Sequence, residues 1–292
     1  MGIDVHGMNF LRYAGKNRTL DDTITIGRQG FHVREGYVRD KWSKAMAREL
    51  ALAGDDLWCE TFLKTYLGSS KVDSVDNSEY EGATFTHDMN NVLPEDLVGQ
   101  YDTVIDCGSL EHIYNIPLAL KNCSLLAKAG GQIVHVLPAN NFCGHGFWQF
   151  TPELFFSLYA PKNGYVGTEI FLAEVSEVGT WWRVNEIVSD SRLMVHNSKG
   201  LHILVRTVKV GSDFSHHDIQ QSDYSSKWAA KDGGKTSSCQ LEGRKAKVGI
   251  MASSLAPLKS LYRSYYRTRP SPRMRLNRLN PDLTKSIVNH LV

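Results

Sequence analysis

The chain has 292 residues, 42% hydrophobic and 22% charged, a globular composition with room for one large α/β domain plus appendages or two small domains. No apolar run approaches the roughly 18 residues of a membrane span, so an integral membrane protein is excluded as an expectation. The net charge of +2 hides an asymmetry: Lys227–Arg278 holds thirteen Lys and Arg against Asp232 and Glu242, a net of +11 that leaves −9 for the remainder.

In chain order, Met8–Gly15 reads as a short leading helix, followed by a polar turn. Thr23–Ile26 is a β-branched run and a first strand, with Gly27-Arg28-Gln29-Gly30 as its turn. Asp40–Leu52 carries Trp42, Ala45, Met46 and Leu50 at helical spacing, with Asp40 as N-cap and Gly54 as stop. Leu57–Leu67 is a second helix ending at Gly68. Lys71–Val75 and Thr84–Thr86 are strands, Pro94–Leu97 is a turn, and Val104-Ile105 is the centre of a further strand. Pro117–Ala127 forms a crossover helix that Gly130-Gly131 ends, and Ile133–Leu137 is the parallel strand it leads to. Thr151-Pro152-Glu153 supplies the cap, first-turn proline and acid of a helix reaching about Tyr159. Gly167–Val175 and Leu201–Val210 are strand-like, with Trp181-Trp182 between them.

Strands alternating with helices predict an α/β, Rossmann-like doubly wound sheet, mostly parallel with an antiparallel C-terminal strand and a basic C-terminal extension. The expected division is a helical lead at 1–22, a main domain at 23–211 and a polar, basic tail at 212–292. Ser222–Gly243 is rich in Ser, Lys and Gly and reads as a linker or disordered segment, and Val248–Tyr266 as a further helix. Within the tail, Leu261–Asn280 interleaves Arg with Tyr. That mixture suits an anionic partner, whether nucleic acid or lipid headgroups, and equally a tail that docks on the acidic body or has no dedicated partner.

Five scattered cysteines without a CxxC pair predict a reducing compartment and no structural zinc site. The first residues lack a basic stretch followed by an apolar core, and His6 stands where a myristoylation pattern needs Ser or Thr, so a cytoplasmic location is expected.

Two stretches carry a resemblance: Tyr101-Asp102-Thr103-Val104 followed by Leu110-Glu111-His112, and Leu126-Ala127-Lys128-Ala129-Gly130-Gly131 with the strand after it. Together they resemble the class I S-adenosylmethionine-dependent methyltransferases over roughly Thr23 to Val210. The first loop departs from that family. Thr25 replaces its acid, and Gln29 stands where a second glycine lets backbone approach the cofactor closely. Gly27 to Asp76 also spans 49 positions, against roughly 20 between a nucleotide-binding loop and its ribose acid, which implies an inserted helix.

The resemblance implies S-adenosylmethionine as cofactor, bound by Gly27 and Gln29 in the first loop and by Asp76 at the ribose. It implies Asp88 against the adenine amino group and Met89 on the ring. Asp106, Cys107 and Gly108 would lie beside the methionine part. Read without the resemblance, Asp76 and Asp88 are turn-forming residues and Asp106–Gly108 an ordinary strand exit. Glu111 and His112 suit a general base and its orienter, or a helix-start acid and a packed histidine. Some quinone-modifying members of the family bind a metal through Glu-x-x-Glu-His; here Gly108 replaces the first Glu, two ligands remain, and no metal is expected. Asn140–Gln149, with His145 between Gly144 and Gly146, reads as an acceptor-binding loop with His145 as a candidate base, or as a solvated surface loop.

Two functions follow. One is methyl transfer to an oxygen or nitrogen of a small-molecule or glycan-type acceptor, with His145, His112 and Glu111 as candidate catalytic groups. The alternative is a non-catalytic module of the same fold that binds a partner, polymer or nucleic acid through its tail. A nicotinamide-type dinucleotide is disfavoured because Gly27–Gly30 lacks the spacing of a pyrophosphate loop.

Overall fold

In a computed structural model that describes residues 2–16, 18–35, 41–53, 58–186, 193, 195–211, 214, 219–231 and 283–287, the backbone is organised around one nine-stranded sheet. The strands are β1 (Gly2–Ile3), β2 (Asp22–Ile26), β3 (Gly30–Phe31), β4 (Lys71–Asp76), β5 (Phe85–Thr86), β6 (Tyr101–Cys107), β7 (Ala127–Asn140), β8 (Tyr165–Glu174), β9 (Thr180–Val184), β10 (Leu201–Lys209) and β11 (Leu283–Ile287). The large sheet has the order β11-β9-β8-β10-β7-β6-β2-β4-β5. From β7 to β5 all pairings are parallel. β10 is inserted antiparallel between β7 and β8, and β9 is antiparallel to β8. Strand order reverses beside β2 and β6, the kind of switch point at which open α/β sheets place ligands. The doubly wound, Rossmann-like expectation is therefore met by the topology itself.

The alternation along each strand builds two layers. Ile24, Ile26, Val104, Ile133 and Leu137 pack with α4 (Ile116–Leu126) and α5 (Pro152–Leu158) on one face. Ile105, Cys107, Val134 and Val136 pack on the other with α1 (Val5–Gly15), α2 (Lys41–Ala53) and α3 (Glu60–Leu67). Residues 1–22, read from sequence as a lead, thus supply part of a layer: Met8, Phe10 and Leu11 of α1 are fully buried against Phe171, Trp181 and Leu204. Burial of each such side chain contributes roughly 1.5–3 kcal/mol. The helix starts earlier than Met8 because Asp4 accepts a hydrogen bond from Gly7 N at 2.8 Å and caps it.

Several boundaries differ from expectation. Gly130-Gly131 does not end the crossover helix; β7 begins at Ala127 and runs through both glycines. A register shift opposite Tyr101–Thr103 accommodates them. A Cβ on Gly131 would meet the carbonyls of Lys128, Tyr101 and Asp102 at 2.9–3.2 Å, so the glycine marks close backbone approach rather than a stop. Trp181-Trp182 belongs to a strand of its own, β9. Ser222–Lys231, expected in a linker, is helix α6, and Leu283–Ile287 pairs antiparallel with β9 at the sheet edge. The helix expected at Val248–Tyr266, the Arg-Tyr stretch at Leu261–Asn280 and the Asp40 cap lie outside the described residues.

The segment between β2 and β4 holds α2, α3 and the two-residue strand β3. β3 pairs in parallel with β1, Gly2 opposite Gly30 and Ile3 opposite Phe31. No helix among the described residues is long and apolar enough to cross a membrane.

Candidate functional site

The carboxyl ends of β2 and β4 meet where the first loop begins. Gly27 adopts φ +71°, a left-handed conformation that suits glycine, and its N–H donates to Val75 O at 2.7 Å. Asp76 is half-buried at the end of β4, and its Oδ2 accepts from Arg28 N at 3.2 Å. The Arg28 side chain is strapped across this edge. Its Nε lies 2.8 Å from Glu60 Oε1, Nη1 donates to Glu81 O at 2.8 Å, and the guanidinium sits 4.4 Å from the centre of the Trp58 ring.

Gln29 turns the other way, into the gap between β2 and β6. It is fully buried, and its Nε2 donates to Ile26 O at 2.6 Å and to Ser109 Oγ at 2.9 Å. Ser109 Oγ donates to the same Ile26 carbonyl. Gln29 Oε1 has no hydrogen-bond partner among the described residues. The backbone here is held from both sides, by Cys59 N donating to Gln29 O at 2.9 Å and by the pairing of Gly30 with Gly2. The amide that replaces the expected glycine therefore bridges two strand ends.

At the exit of β5, Asp88 forms an Asx turn: its Oδ1 accepts from Asn90 N at 2.9 Å and from Asn90 Nδ2 at 2.8 Å. Met89 is 4% exposed and packs in the core. Of the three residues at the exit of β6, Cys107 and Gly108 line a cavity, but Asp106 is turned into the interior. Its Oδ1 accepts from Ser109 N at 3.0 Å, and its Oδ2 lies 3.1 Å from His135 Nδ1. His135 Nε2 in turn is 2.7 Å from the Tyr159 hydroxyl. Burial holds the Tyr159 hydroxyl well above its usual pKa.

The cavity, about 240 Å³, opens at the ends of β6 and β7. Gly2, Asp4, His32, Gly108, Glu111, His112, Phe142, His145 and His202 are among its walls. Gly108 takes φ +87°, and a Cβ there would stand 3.3 Å from Glu111 Oε1. Glu111 lies in a single 3-10 turn, Leu110–His112, with its side chain only 1% exposed. Burial, reinforced by the negative charge of Asp106, pushes its carboxyl up to about 8. Its Oε1 is 3.4 Å from His145 Nε2 and 3.9 Å from His112 Nε2, and its Oε2 has no partner among the described residues. The His112 and His145 rings lie with centroids 5.3 Å apart and planes tilted by 56°, and burial together with His145 lowers the His112 pKa.

The loop carrying His145 is stitched to that turn. Glu111 O accepts from Phe147 N at 2.8 Å and Trp148 N at 3.2 Å, and Trp148 Nε1 donates to Ile113 O at 2.9 Å. A Cβ on Gly146 would sit 2.8 Å from Glu111 O, whereas one on Gly144 would meet nothing within 4 Å. The three residues expected to be catalytic are thus brought together, with one donor atom from each within 4.8 Å of the others. A second cavity of about 630 Å³ flanks the end of β7, between Asn140, Phe150, Glu153 and Leu172.

Ser109, His135 and Tyr159, which fix the interior of this edge, and Asp4, His32 and His202, which wall the cavity, were not singled out by sequence. They come from distant segments and carry no local pattern.

No family model matches the chain, and no curated relative matches it. Among solved structures, a Thermotoga maritima protein described as a SAM-dependent methyltransferase, possible histamine N-methyltransferase, is 16% identical, with 70% of this chain and 91% of that one covered and a TM-score of 0.39. The trans-methyltransferase CalH in complex with S-adenosylhomocysteine is 13% identical, with 70% and 55% covered and a TM-score of 0.39, so the match spans about half of CalH. The 1,6-didemethyltoxoflavin-N1-methyltransferase of Burkholderia thailandensis is 13% identical, with 70% and 77% covered and a TM-score of 0.35. At such identities and TM-scores these likenesses carry no argument about this chain, and the fold assignment rests on the strand order.

Proposed function

We propose that the chain is a methyltransferase that uses S-adenosylmethionine and methylates an oxygen or nitrogen of a small molecule. The observation that carries this reading is the convergence of Gly27, Asp76 and Gly108 at the carboxyl edge of the adjacent parallel strands β4, β2 and β6, beside a cavity walled by Glu111, His112 and His145.

At the nucleoside end the fit to the cofactor rests on Asp76. Asp76 keeps Oδ1 free of hydrogen bonds among the described residues and half-faces solvent, which suits a pair of ribose hydroxyls. Asp88 follows β5 at the same edge, but its Oδ1 is engaged by Asn90 and Met89 is buried in the core, so neither is turned towards an adenine ring in this structure. At the methionine end the gap between β2 and β6 is filled by the Gln29 amide, which must swing out before Gly27, Cys107 and Gly108 can line a methionine chain. Its unpaired Oε1 means that the closed position leaves one polar atom unsatisfied, which lowers the cost of opening.

When bound, the cofactor would supply an electrophilic methyl group on a sulfonium sulfur able to leave with the electron pair of the C–S bond. The protein's part would be positioning: Gly108 leaves room for close backbone approach, and the cavity it lines would hold the nucleophile. At about 240 Å³ the cavity is smaller than the roughly 300–1,000 Å³ of pockets for drug-sized ligands, so it takes the reacting end of an acceptor rather than a whole one. His145 and His112, both partly exposed, are the groups available to accept the proton that an oxygen or nitrogen nucleophile sheds.

Calorimetric titration of the full chain with S-adenosylhomocysteine tests the reading. One binding event is expected, lost in Asp76→Ala. Absence of binding by both S-adenosylmethionine and S-adenosylhomocysteine in folded protein would refute it.

A further inference from the structure

We infer that Glu111, His112 and His145 form a site for one divalent transition-metal ion at the wall of the cavity beside β7. The three donor atoms lie within 4.8 Å of one another, with the Glu111 carboxylate 3.4 Å from one imidazole nitrogen and 3.9 Å from the other. Donors about 2.1 Å from a shared ion stand roughly 3–3.5 Å apart, so small rotations of the two exposed rings complete the set.

An independent observation points to a ligand. Glu111 Oε2 is buried without a partner among the described residues, on a side chain 1% exposed, in the wall that the two histidines share. A buried carboxyl oxygen left unpaired is costly, and a cation gripped by both oxygens of the side chain would lower that cost.

The site is also built rather than incidental. The Glu111 carbonyl holds the N–H groups of Phe147 and Trp148, and this clamp fixes the loop that delivers His145. Gly146 is required at that contact, because any side chain would meet the Glu111 carbonyl at 2.8 Å. All three residues line the cavity, so an ion held between them would be open to it. Two imidazoles and one carboxylate suit Zn²⁺, Fe²⁺, Co²⁺ or Mn²⁺ rather than Mg²⁺ or Ca²⁺. Such an ion would anchor an oxygen-bearing acceptor and, with both imidazole nitrogens committed to it, would itself ease loss of the acceptor's proton in place of the free histidines. That role rests on the methyl-transfer reading; the metal site itself does not.

The test is titration of chelator-stripped, full-length protein with Co²⁺ alone, read by its visible d–d absorption. One Co²⁺ per chain is expected, displaced by Zn²⁺. His112→Asn and His145→Asn should each weaken binding by at least the roughly 10–100-fold that loss of a supporting partner costs. Both rings are substantially exposed, at 42% and 51%, so thermal melting should be unchanged in the two variants. No Co²⁺ uptake, or uptake undiminished in both variants, overturns the site. Uptake by protein that binds no S-adenosylhomocysteine would sustain the metal site and remove methyl transfer from it.

Discussion

Gln29 Nε2 lies 2.9 Å from Ser109 Oγ, and through this contact the loop after β2 is tied to the loop after β6. The tie crosses the gap in which the methionine end of the cofactor would lie. If it must open, the wild-type chain spends part of its binding energy on breaking two hydrogen bonds, together about 1–2 kcal/mol. Gln29→Ala should therefore bind S-adenosylhomocysteine roughly tenfold more tightly, by calorimetry. Weaker or unchanged binding would mean that the amide takes part in holding the ligand or that the ligand passes elsewhere.

Asp106 is the residue whose environment departs most from its expected role. It is fully buried on His135 and on the N–H of Ser109, and His135 is held by Tyr159. Asp106→Ala should destabilise the protein by about 3–5 kcal/mol, because it leaves buried partners uncompensated. Tyr159→Phe should cost about 1–3 kcal/mol through the exposed need of His135 Nε2. Asp76→Ala, at a half-buried site with one backbone donor, should cost about 1 kcal/mol or less. Denaturant unfolding of the three variants measures these differences; a small effect of Asp106→Ala would return that carboxylate to the list of ligand-facing groups.

The pair Gly144 and Gly146 separates loop shape from loop flexibility. Gly146→Ala drives a Cβ into the Glu111 carbonyl and should displace His145, weakening Co²⁺ binding by about tenfold or more. Gly144→Ala meets nothing and should leave Co²⁺ binding unchanged. Equal effects of the two substitutions would show that the contact with Glu111 does not set the loop.

His6 gives the fold a pH dependence of its own. Its Nε2 lies 3.1 Å from Glu174 O and its Nδ1 accepts from Trp181 Nε1 at 3.2 Å, so the neutral ring satisfies both neighbours. Burial lowers its pKa below the ordinary 6.5, against the opposing pull of Asp4. The unfolded chain takes up a proton below about pH 6.5 that the folded chain refuses, so this stability is present above that pH and is lost as pH falls below it. The slope should approach about 1.4 kcal/mol per pH unit below that point. In His6→Gln this component should be missing, as read from unfolding free energies between about pH 7 and 5.

Much of the sheet was legible from the chain alone, because β2, β6, β7, β8 and β10 are apolar, β-branched runs closed by small or polar residues. The crossover helix α4 declared itself through its leucines. The two-residue strands β1 and β3 were not legible: no periodicity fits into two residues, and their pairing spans 28 positions from Gly2 to Gly30. Yet that pairing sets where Gln29 points. The site was half legible for the same reason. Glu111 and His112 are adjacent and were read together, but their meeting with His145 depends on a loop folded back onto one carbonyl. His135 and Tyr159 looked like ordinary core residues, and only the buried Asp106 gives them a role.

The central claim is that a nucleoside cofactor settles over the carboxyl edge of β4, β2 and β6. A crystal structure of the full chain with S-adenosylhomocysteine tests it most directly. The account predicts the ribose hydroxyls on Asp76, the Gln29 amide withdrawn from Ser109, and the sulfur aimed past Gly108 towards Glu111, His112 and His145. Gln29 still seated on Ile26 and Ser109, with the ligand in the larger cavity beside Phe150 and Leu172 or not bound at all, would contradict it.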